Sequence, residues 1–315
     1  MKEVHIEFGR KIKIHSPATV ANIVCGFDVL GMALNEPYDV MELTIVDRPG
    51  IRITHTDEFN LPTAAENNVA GVSLMELMKE ISPQIGFDLE IKKQIKPGSG
   101  LGSSAASSAG AIMAANHLLG NIFTKNEMVS FAMMGEKLAS GVKHADNITP
   151  CIYGGVTLIR SIFPLDIVSI SAPPLYVAVV HPQIEVKTSD SREILRKELL
   201  LKDAIKQWGN IAGLVAGFLQ NDYSLISRSL EDVIIEPVRS MLIPGFRDVK
   251  ERSKEAGALG GGISGSGPSV FMLCENQQIA FEVEKIMKDV YENIGLEYNT
   301  YVTTINHQGG VVIKE

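Results

Sequence analysis

The sequence predicts an α+β protein built from two domains. Stretches with the residue spacing of strands alternate with stretches of helical spacing along most of the chain. The chain has 315 residues, of which 45% are hydrophobic, and this is enough apolar material for two packed cores. Pro173 and Pro174 interrupt the pattern just before a strongly apolar run, so we expect a boundary between residues 1–171 and 172–315.

The amino-terminal half begins with strands and then becomes mainly helical. Apolar and β-branched residues bounded by proline or glycine predict strands at residues 11–15 and 40–46. Apolar residues near helical spacing predict a helix over residues 67–81, which ends before Pro83. The further predicted elements are a strand at 87–95, a buried alanine-rich helix at 105–119, a helix at 125–138 and a strand at 154–159.

The carboxy-terminal half starts with an apolar strand directly after the proline pair. Its predicted order is a strand at 175–180, helices at 191–200, 204–219 and 246–256, a strand at 269–274, a helix at 279–292 and a strand at 298–305. We find no internal repeat and no low-complexity tract in the sequence.

The segment between the predicted strand at 87–95 and the helix at 105–119 has the composition of a phosphate-binding loop. It reads Pro97-Gly98-Ser99-Gly100-Leu101-Gly102-Ser103-Ser104-Ala105-Ala106. Its three glycines let the backbone approach an anion closely, and the first N–H groups of the helix have no intrahelical partner. The positive end of the helix dipole adds to this attraction. The alternative is a turn followed by an ordinary serine cap of a buried helix.

The spacing of this loop excludes two common nucleotide-binding motifs. A P-loop requires lysine after its last glycine, whereas Ser103 follows Gly102 and no lysine occurs between residues 97 and 123. The dinucleotide-binding fingerprint requires a two-residue gap between glycines, whereas these glycines alternate. The loop therefore indicates a different class of phosphate-binding site.

Three separated segments resemble the motifs of the GHMP kinases, and their order along the chain matches as well. The glycine-rich loop resembles the second motif, and the segment from Gly260 to Phe271 resembles the third, a Gly/Ser loop that packs against the second. The segment from Ser16 to Gly31 is similar to the first motif in the form found in homoserine kinases. This resemblance implies a ribosomal-protein-S5 domain-2-like domain followed by a ferredoxin-like α/β sandwich, with the active site between them.

On the nucleotide side, the resemblance implies that ATP and Mg²⁺ bind around the glycine-rich loop. It assigns ATP to Asn67, at the adenine, and to the loop residues Pro97, Gly98, Ser99, Gly100, Leu101, Gly102, Ser103, Ser104, Ala105, Ala106 and Ser107. It assigns Mg²⁺ to Ser104 and Glu136, since this ion takes only one or two protein oxygens and keeps several waters. From the residues alone, Asn67 is equally suited to cap its helix, whereas Glu136 is better explained as a solvated carboxylate.

On the acceptor side, the resemblance implies a pocket for L-homoserine, whose terminal hydroxyl would be phosphorylated to O-phospho-L-homoserine in threonine biosynthesis. The implied substrate residues are Asn22, Asp28, His144, Asp146, Asn147, Thr188, Arg192 and Arg239. Asp28 is expected to hold the amine, the two arginines the carboxylate, and Asp146 with Asn147 the reacting hydroxyl. Because no lysine of the first motif is available to pair with Asp146, we expect this catalytic residue to orient the hydroxyl first and act as a base second.

Composition limits the remaining functional classes. The formal net charge is −8 and no long run of lysine and arginine occurs, so we expect no nucleic-acid binding. The three cysteines form no CxxC pair, which argues against a disulfide framework or a zinc site and fits a reducing cytoplasm. We also expect no export signal, no membrane span and, by resemblance, a homodimer. The alternatives are a kinase for mevalonate, a sugar or shikimate, and a non-catalytic nucleotide-binding module.

Overall fold

A mixed sheet forms the centre of the amino-terminal half. The computed structural model describes residues 2–4, 6–82, 85–186 and 188–313, without the side chains of residues 140 and 188–190. The elements of this half are β1 (Lys2–Glu3), β2 (Lys11–Ala21), β3 (Leu30–Val46), β4 (Gly50–His55), α1 (Val69–Met78), β5 (Ile81–Ser82), β6 (Gly86–Lys92), α2 (Ser103–Leu118), α3 (Lys125–Ser140), α4 (Ile148–Tyr153), β7 (Val156–Ile162) and β8 (Leu165–Ile170).

The long strand β3 organises this sheet. It pairs with β2 along one edge, and along the other edge it pairs first with β7 and then with β6. Alternate residues of β3, namely Met41, Leu43 and Ile45, are fully buried in the core that also contains the apolar faces of α1, α2 and α3. The predicted strand at 40–46 is therefore only the second half of β3.

The alanine-rich helix α2 is buried, as its composition predicts, and it begins two residues earlier than predicted. Small residues let it lie close to the sheet: a Cβ at Gly110 would meet Met41 Sδ at 2.5 Å and Ser16 Cβ at 2.9 Å. Helix α3 has a capping box between Thr124 and Glu127, which accounts for its predicted start at residue 125.

Among the described residues, no helix is both long and apolar enough to cross a membrane.

The carboxy-terminal half is a ferredoxin-like sandwich, as expected. Its elements are β9 (Tyr176–Pro182), α5 (Thr188–Glu193), α6 (Leu201–Gln220), α7 (Tyr223–Ser229), α8 (Glu236–Arg239), α9 (Phe246–Glu255), β10 (Gly260–Ile263), β11 (Val270–Cys274), α10 (Gln277–Ile294), β12 (Tyr298–Thr304) and β13 (Val311–Ile313). The antiparallel sheet has the order β10-β11-β9-β12. Strand β13 instead pairs with β2 in the first sheet, so the chain returns to the amino-terminal half.

Alternation along β9 separates two apolar layers of this sandwich. Val177 and Val179 face a core shared with α6, α7 and the first half of the molecule. Ala178 and Val180 face the opposite core, which α9 and α10 cover. Because side chains on a strand alternate between the faces, one short strand contributes to both cores.

Several predicted boundaries are wrong for identifiable reasons. The helix predicted at 191–200 is instead the short helix α5, which ends at Glu193. The helix predicted at 204–219 is α6, which begins three residues earlier, at Leu201. Helix α1 begins at Val69 because the Asn68 side chain, not that of Asn67, accepts from the N–H groups of Ala70 and Gly71. The strand predicted at 87–95 ends at Lys92, since Asp39 Oδ1 accepts from the N–H groups of residues 94 and 95. The predicted division at residue 172 stays a prediction.

Candidate active site

A cavity of about 350 Å³ lies between the two halves of the molecule. Both the glycine-rich loop and the carboxy-terminal Gly/Ser loop contribute to its wall. The sequence-predicted residues that line it are Asn22, Asp28, Pro97, Gly98, Gly100, Gly102, Ser103, Ser104, Ser107, Glu136, His144, Asp146, Asn147, Arg192 and Arg239. Residues from distant parts of the sequence therefore share one cavity.

The other predicted site residues lie outside this lining. Ser99 and Leu101 are buried behind it, where their carbonyl groups accept from the N–H groups of Ser269 and Thr19. Ala105 and Ala106 are buried within α2. Asn67 is exposed in the single 3₁₀ turn Ala65–Asn67, next to Val69, which does line the cavity. Thr188 begins α5, and its side chain lies outside the described part of the structure.

The glycines of the loop have different structural requirements. Gly98, Gly100 and Gly102 all have left-handed backbone conformations, with φ of 76°, 81° and 69°. A Cβ at Gly100 would lie 2.6 Å from the carbonyl oxygens of Ser264 and Gly267, whereas a Cβ at Gly98 would meet nothing within 4 Å. Gly100 is therefore required for close packing of two loops, and Gly98 only for its φ.

The carboxy-terminal loop packs directly on the glycine-rich loop, as the resemblance implies. Ser264 Oγ donates to the Gly100 carbonyl at 2.7 Å, and the Ser269 N–H donates to the Ser99 carbonyl at 3.1 Å. These contacts hold the loop at the amino end of α2, where N–H groups without helical partners attract anions.

Ser104 and Glu136 form a hydrogen-bonded pair of oxygen-bearing side chains beside this helix end. Ser104 Oγ donates to Glu136 Oε2 at 2.8 Å. Burial raises the pKa of Glu136, and the hydrogen bond from Ser104 opposes that shift. Glu136 is half-buried in the cavity wall, whereas the neighbouring Lys137 is exposed. A hydroxyl and a carboxylate at this distance are the hard oxygen donors that suit Mg²⁺.

Lys93 is a cavity residue that the sequence analysis missed. Its ammonium group is paired with the buried Asp39 carboxylate and also donates to the Ser103 carbonyl at 2.8 Å and to Ser107 Oγ at 2.9 Å. It thus supports the first turn of α2 from below. In the sequence it is one of three lysines at positions 92, 93 and 96, and no local pattern distinguishes it from the other two.

Asp28, Arg192 and Arg239 line one end of the cavity, the acceptor end. The first motif forms an unusual turn there. Asn22, Ile23 and Val24 are consecutive residues with positive φ, at 73°, 41° and 65°. Left-handed conformations are unfavourable for β-branched residues, so the surrounding structure must hold this turn. The Asn22 amide donates to the Gly265 carbonyl at 3.0 Å, and its Oδ1 accepts from the Asp28 N–H at 3.1 Å. Asn22 therefore fixes the backbone that carries Asp28.

Asp28, Arg192 and His144 form a charged cluster. Arg192 Nη2 donates to both carboxylate oxygens of Asp28, at 2.7 and 3.0 Å. His144 Nδ1 lies 3.3 Å from the same nitrogen and 3.6 Å from Asp28 Oδ1. Burial lowers the pKa of His144, the Asp28 carboxylate opposes this, and the nearby arginines add to it. His144 Nε2 is buried and has no hydrogen-bond partner among the described residues.

Arg239 and Phe27 complete this end of the cavity. Arg239 donates from Nε to the Ser191 carbonyl and from Nη1 to the Gly265 carbonyl, both at 3.0 Å. Burial lowers its pKa to about 10. The Phe27 ring centre lies 4.9 Å from the Arg239 guanidinium carbon and 5.5 Å from that of Arg192. Phe27 lies in the first motif and was not predicted as a site residue, although its ring orients both arginines.

Asp146 and Asn147 lie between the acceptor end and the glycine-rich loop. Burial raises the pKa of Asp146 to about 7, and the negative charges of Asp28 and Glu136 add to the shift. Asn147 Oδ1 accepts from Thr19 Oγ1 at 2.7 Å. A Cβ at Gly31 would lie 1.7 Å from the Asp146 carbonyl oxygen, so the first motif positions this segment at close contact.

Comparison with known proteins identifies the family. The model of the GHMP kinase N-terminal domain matches residues 67–155, and that of the C-terminal domain matches residues 214–293. A homoserine kinase of Chloroherpeton thalassium is 44% identical over 312 residues, which cover 95% of this chain and 98% of that protein. The chain belongs to the homoserine kinase family of the GHMP kinases.

Solved structures agree with this assignment. The crystal structure of homoserine kinase from Cytophaga hutchinsonii is 47% identical, with a TM-score of 0.93 and coverage of 98% of this chain and 100% of that chain. The structure of L. major mevalonate kinase in complex with R-mevalonate is 16% identical, with a TM-score of 0.71 and coverage of 93% and 95%. That second likeness concerns the fold alone. The expected GHMP kinase fold is confirmed.

Within this homoserine kinase fold, the cavity combines two kinds of chemistry. One end offers backbone N–H groups, a helix amino end and the Ser104–Glu136 pair. The other end offers an anionic and a cationic side chain in direct contact. A polyphosphate bound at one end and a zwitterion bound at the other would match both.

Proposed function

We propose that this protein transfers the γ-phosphoryl group of ATP to the terminal hydroxyl of L-homoserine, forming O-phospho-L-homoserine and ADP. The observation that carries the proposal is the Asp28–Arg192 ion pair, which lines the same cavity as the glycine-rich loop. An amino acid carries an ammonium and a carboxylate on one carbon. Bound here, it would replace one ion pair by two, with its ammonium on Asp28 and its carboxylate on Arg192 and Arg239.

ATP occupies the other end of the cavity in this proposal. The loop's backbone and the amino end of α2 hold the polyphosphate, and the Lys93–Asp39 pair keeps the first turn of α2 in place. Leu61 and Val69 supply apolar wall at the far side, where the base would lie near Asn67. This arrangement directs the γ-phosphoryl group towards the acceptor end.

Ser104 and Glu136 would hold Mg²⁺. Their donor oxygens already lie 2.8 Å apart beside the glycine-rich loop, and neither is a soft ligand. When bound, the ion would supply positive charge that offsets the negative charge that builds up during transfer.

Asp146 and Asn147 would orient the substrate hydroxyl for in-line attack. Thr19 fixes the Asn147 carbonyl oxygen, which leaves the amide nitrogen as a donor. With a pKa of about 7, the Asp146 carboxyl is ionised in part of the molecules at neutral pH. In its ionised form it can accept the hydroxyl proton. We rank orientation above proton removal, since alignment and charge stabilisation account for most of phosphoryl-transfer catalysis.

A coupled ADP-release assay over L-homoserine, L-serine, L-threonine, mevalonate and galactose tests the proposal. We expect turnover with L-homoserine far above that with the other acceptors, and a phosphorylated product by ³¹P NMR. Turnover with mevalonate or galactose but not with L-homoserine would contradict the acceptor and leave the kinase class intact. Nucleotide binding with no turnover on any acceptor would support a binding module instead.

The cellular setting follows from the same proposal. We place the protein in the cytoplasm, in threonine biosynthesis, and we keep residues 1–171 and 172–315 as its two domains. We also keep the expectation of a homodimer, which the family resemblance implies.

A further inference from the structure

The inner face of helix α6 carries a long polar side chain, that of Gln207, among small and apolar ones. The buried residues of this helix are Gln207, Leu214, Gly217 and Phe218. A buried glutamine is unfavourable unless its amide is hydrogen-bonded, because the amide loses its contacts with water on folding. Gln207 also lies outside the lining of the cavity between the two halves. Its hydrogen-bond partners therefore indicate what it does.

The Gln207 amide is bonded to two segments that are far apart in the sequence. Its Nε2 donates to the Cys25 carbonyl at 2.8 Å and to Asp232 Oδ1 at 3.0 Å. Its Oε1 accepts from the Val233 N–H at 3.1 Å. Because a glutamine amide has two N–H donors, both donors are used. The side chain therefore joins α6 to the first motif and to the segment before α8.

The first of these segments is the turn that carries Asp28. The Asn22 N–H donates to the Leu30 carbonyl at 2.7 Å, which closes the turn on itself. The turn includes the three consecutive residues with positive φ, and strained backbone of this kind persists only where surrounding contacts hold it. The hydrogen bond from Gln207 to the Cys25 carbonyl is such a contact, and it comes from outside the turn.

The second segment leads into α8, which carries Arg239. The Asp232 carboxylate accepts from the N–H groups of residues 234–236, at 2.8, 3.0 and 2.9 Å. The Arg239 N–H donates in turn to the Ile235 carbonyl at 3.0 Å. Asp232 therefore fixes the start of the short helix, and Gln207 holds the Asp232 carboxylate in place.

The two segments face each other across a small internal space. A cavity of about 10 Å³ is lined by residues of both, among them Phe27, Asp232 and Arg239, and this volume suits about one water molecule. Both segments are bonded to the same amide, so their relative position depends on it. That position sets the separation between the Asp28 carboxylate and the Arg239 guanidinium.

We propose that Gln207 is a positioning residue for the amino-acid substrate: together with Asp232, it fixes the separation of Asp28 and Arg239. This role rests on the proposed function for the identity of the ligand, in which the ammonium and the carboxylate are joined to one carbon. Charged groups that are held at the matching separation bind such a ligand more tightly, because less freedom is lost on binding. The three partners of Gln207 lie outside the glycine-rich loop, so nucleotide binding should not depend on it.

Steady-state kinetics of Gln207→Met tests the effect on the substrate. Methionine is close to glutamine in size and has no amide, so it removes the three hydrogen bonds with little change in volume. We expect KM for L-homoserine to rise about tenfold, while kcat and KM for ATP change by less than about twofold. Gln220→Met, the same substitution on an exposed glutamine of the same helix, is the matched control and should change none of these constants. An equal rise in both KM values would overturn the proposal.

Labelling of Cys25 tests the position of the turn without any substrate. Burial raises the pKa of the Cys25 and Cys274 thiols to about 12, so each reacts only when its surroundings open. We expect a maleimide to label Cys25 about tenfold faster in Gln207→Met than in the wild type, and Cys274, in the core under α9 and α10, at an unchanged rate. Peptide mass spectrometry measures both rates. Equal acceleration at the two cysteines would indicate general loosening of the fold and contradict a positioning role.

Gln207→Asn is the second variant, for use if Gln207→Met does not fold. Asparagine keeps the amide but is one methylene shorter, so it cannot reach both segments, and we expect the same changes at about threefold. An unchanged rate of Cys25 labelling in the folded variant would overturn the proposal. A wild type that does not turn over L-homoserine would instead contradict the proposed function, and the labelling experiment would still test the position of the turn.

Discussion

The two ends of the cavity are built in different ways. The phosphate end is formed mainly by one continuous segment, residues 97–107, that acts mostly through its backbone. The acceptor end consists of side chains from four segments that are far apart in the sequence, namely Asp28, His144, Arg192 and Arg239. A site formed by the backbone of one segment can be recognised from the local spacing of its residues. A site formed by distant side chains exists only after the chain has folded.

The two ends also differ in how they tolerate change. The phosphate end depends on close contact between loops, where an added methyl group has nowhere to go. The acceptor end depends on paired charges, and removing one charged group leaves its partner unpaired. Substitutions at the phosphate end should therefore displace the loops that hold the phosphates. Substitutions at the acceptor end should change the affinity for one substrate.

The largest effect is expected for Gly100→Ala at the phosphate end. Its Cβ would lie 2.6 Å from two backbone carbonyl oxygens, so the two loops must separate. Displaced N–H groups no longer meet the phosphates, and we expect kcat/KM for ATP to fall on the order of a thousandfold. Steady-state kinetics with varied ATP measures this.

Gly98→Ala is the matched control for that substitution. Its φ of 76° imposes a similar backbone strain, but the added Cβ meets nothing within 4 Å. Strain alone costs about 1–2 kcal/mol, so we expect a loss of no more than about thirtyfold. Equal losses for the two variants would show that loop packing does not matter for nucleotide use.

The next largest effect is expected for Arg192→Ala at the acceptor end. It removes a charged donor from Asp28 and, in the proposed complex, from the substrate carboxylate. Because charged hydrogen bonds contribute about 1.5–3 kcal/mol each, KM for L-homoserine should rise roughly a hundredfold while KM for ATP stays unchanged. Arg196→Ala, an exposed arginine four residues later, should change neither constant. A parallel rise in both KM values would argue against a carboxylate contact.

The same contrast describes what the sequence could predict. The glycine-rich loop and the helices α3 and α10 were predictable because their signals are local: alternating glycines in the loop and apolar residues at helical spacing in the helices. Strand β10 was missed because Gly260-Gly261-Gly262-Ile263 has almost no side-chain pattern, and β13 because its partner β2 lies at the other end of the chain. Long-range pairing leaves no local trace.

The acceptor residues depended on family resemblance rather than on pattern. Nothing in the residues alone separates Arg192 or Arg239 from surface arginines. Lys93, which lies outside the three motifs, and Phe27, an apolar residue within the first motif, were not predicted as site residues. Their roles depend on burial and on contacts with Asp39 and with the two arginines. Burial and contacts of this kind arise only from the tertiary structure, so the local sequence does not reveal them.

A smaller effect on activity is expected for Asp146→Asn, which lies between the two ends. An asparagine keeps the orienting hydrogen bonds and loses only the base, so we expect activity to fall by less than about a hundredfold. Loss by a factor of several thousand would instead make proton removal the main role. The activity is measured with both substrates saturating.

The same variant should be more stable than the wild type at neutral pH. With its pKa raised to about 7, Asp146 keeps a proton in the folded state that the unfolded chain releases above about pH 4. The free energy of unfolding of the wild type therefore falls as pH rises from about 4 to about 7. The Asp146→Asn variant lacks this dependence on pH because it has no carboxyl at this position. We expect its melting temperature to exceed the wild-type value increasingly up to about pH 7 and by a constant amount above it. A pH-independent difference would mean that the carboxyl is ionised throughout.

The smallest effect is expected for Asn68→Asp, at the far side of the phosphate end. Asn68 Oδ1 caps α1, while its amide donates to the Pro62 carbonyl at 2.7 Å and lies 3.3 Å from His55 Nε2. These contacts position Leu61 and Val69, which form the apolar wall. An aspartate keeps the cap and loses both amide contacts.

We therefore expect Asn68→Asp to raise KM for ATP by about fivefold, the equivalent of roughly 1 kcal/mol, without changing KM for L-homoserine. Asn60→Asp, the same substitution on an exposed residue of that loop, is the matched control and should leave both constants unchanged. Asn68→Ala should add a loss of thermal stability, since it removes the cap as well. If Asn68→Asp lowered the melting temperature as much as Asn68→Ala and left KM for ATP unchanged, the side chain would act only on folding. The phosphate end would then depend on its glycines and not on the apolar wall.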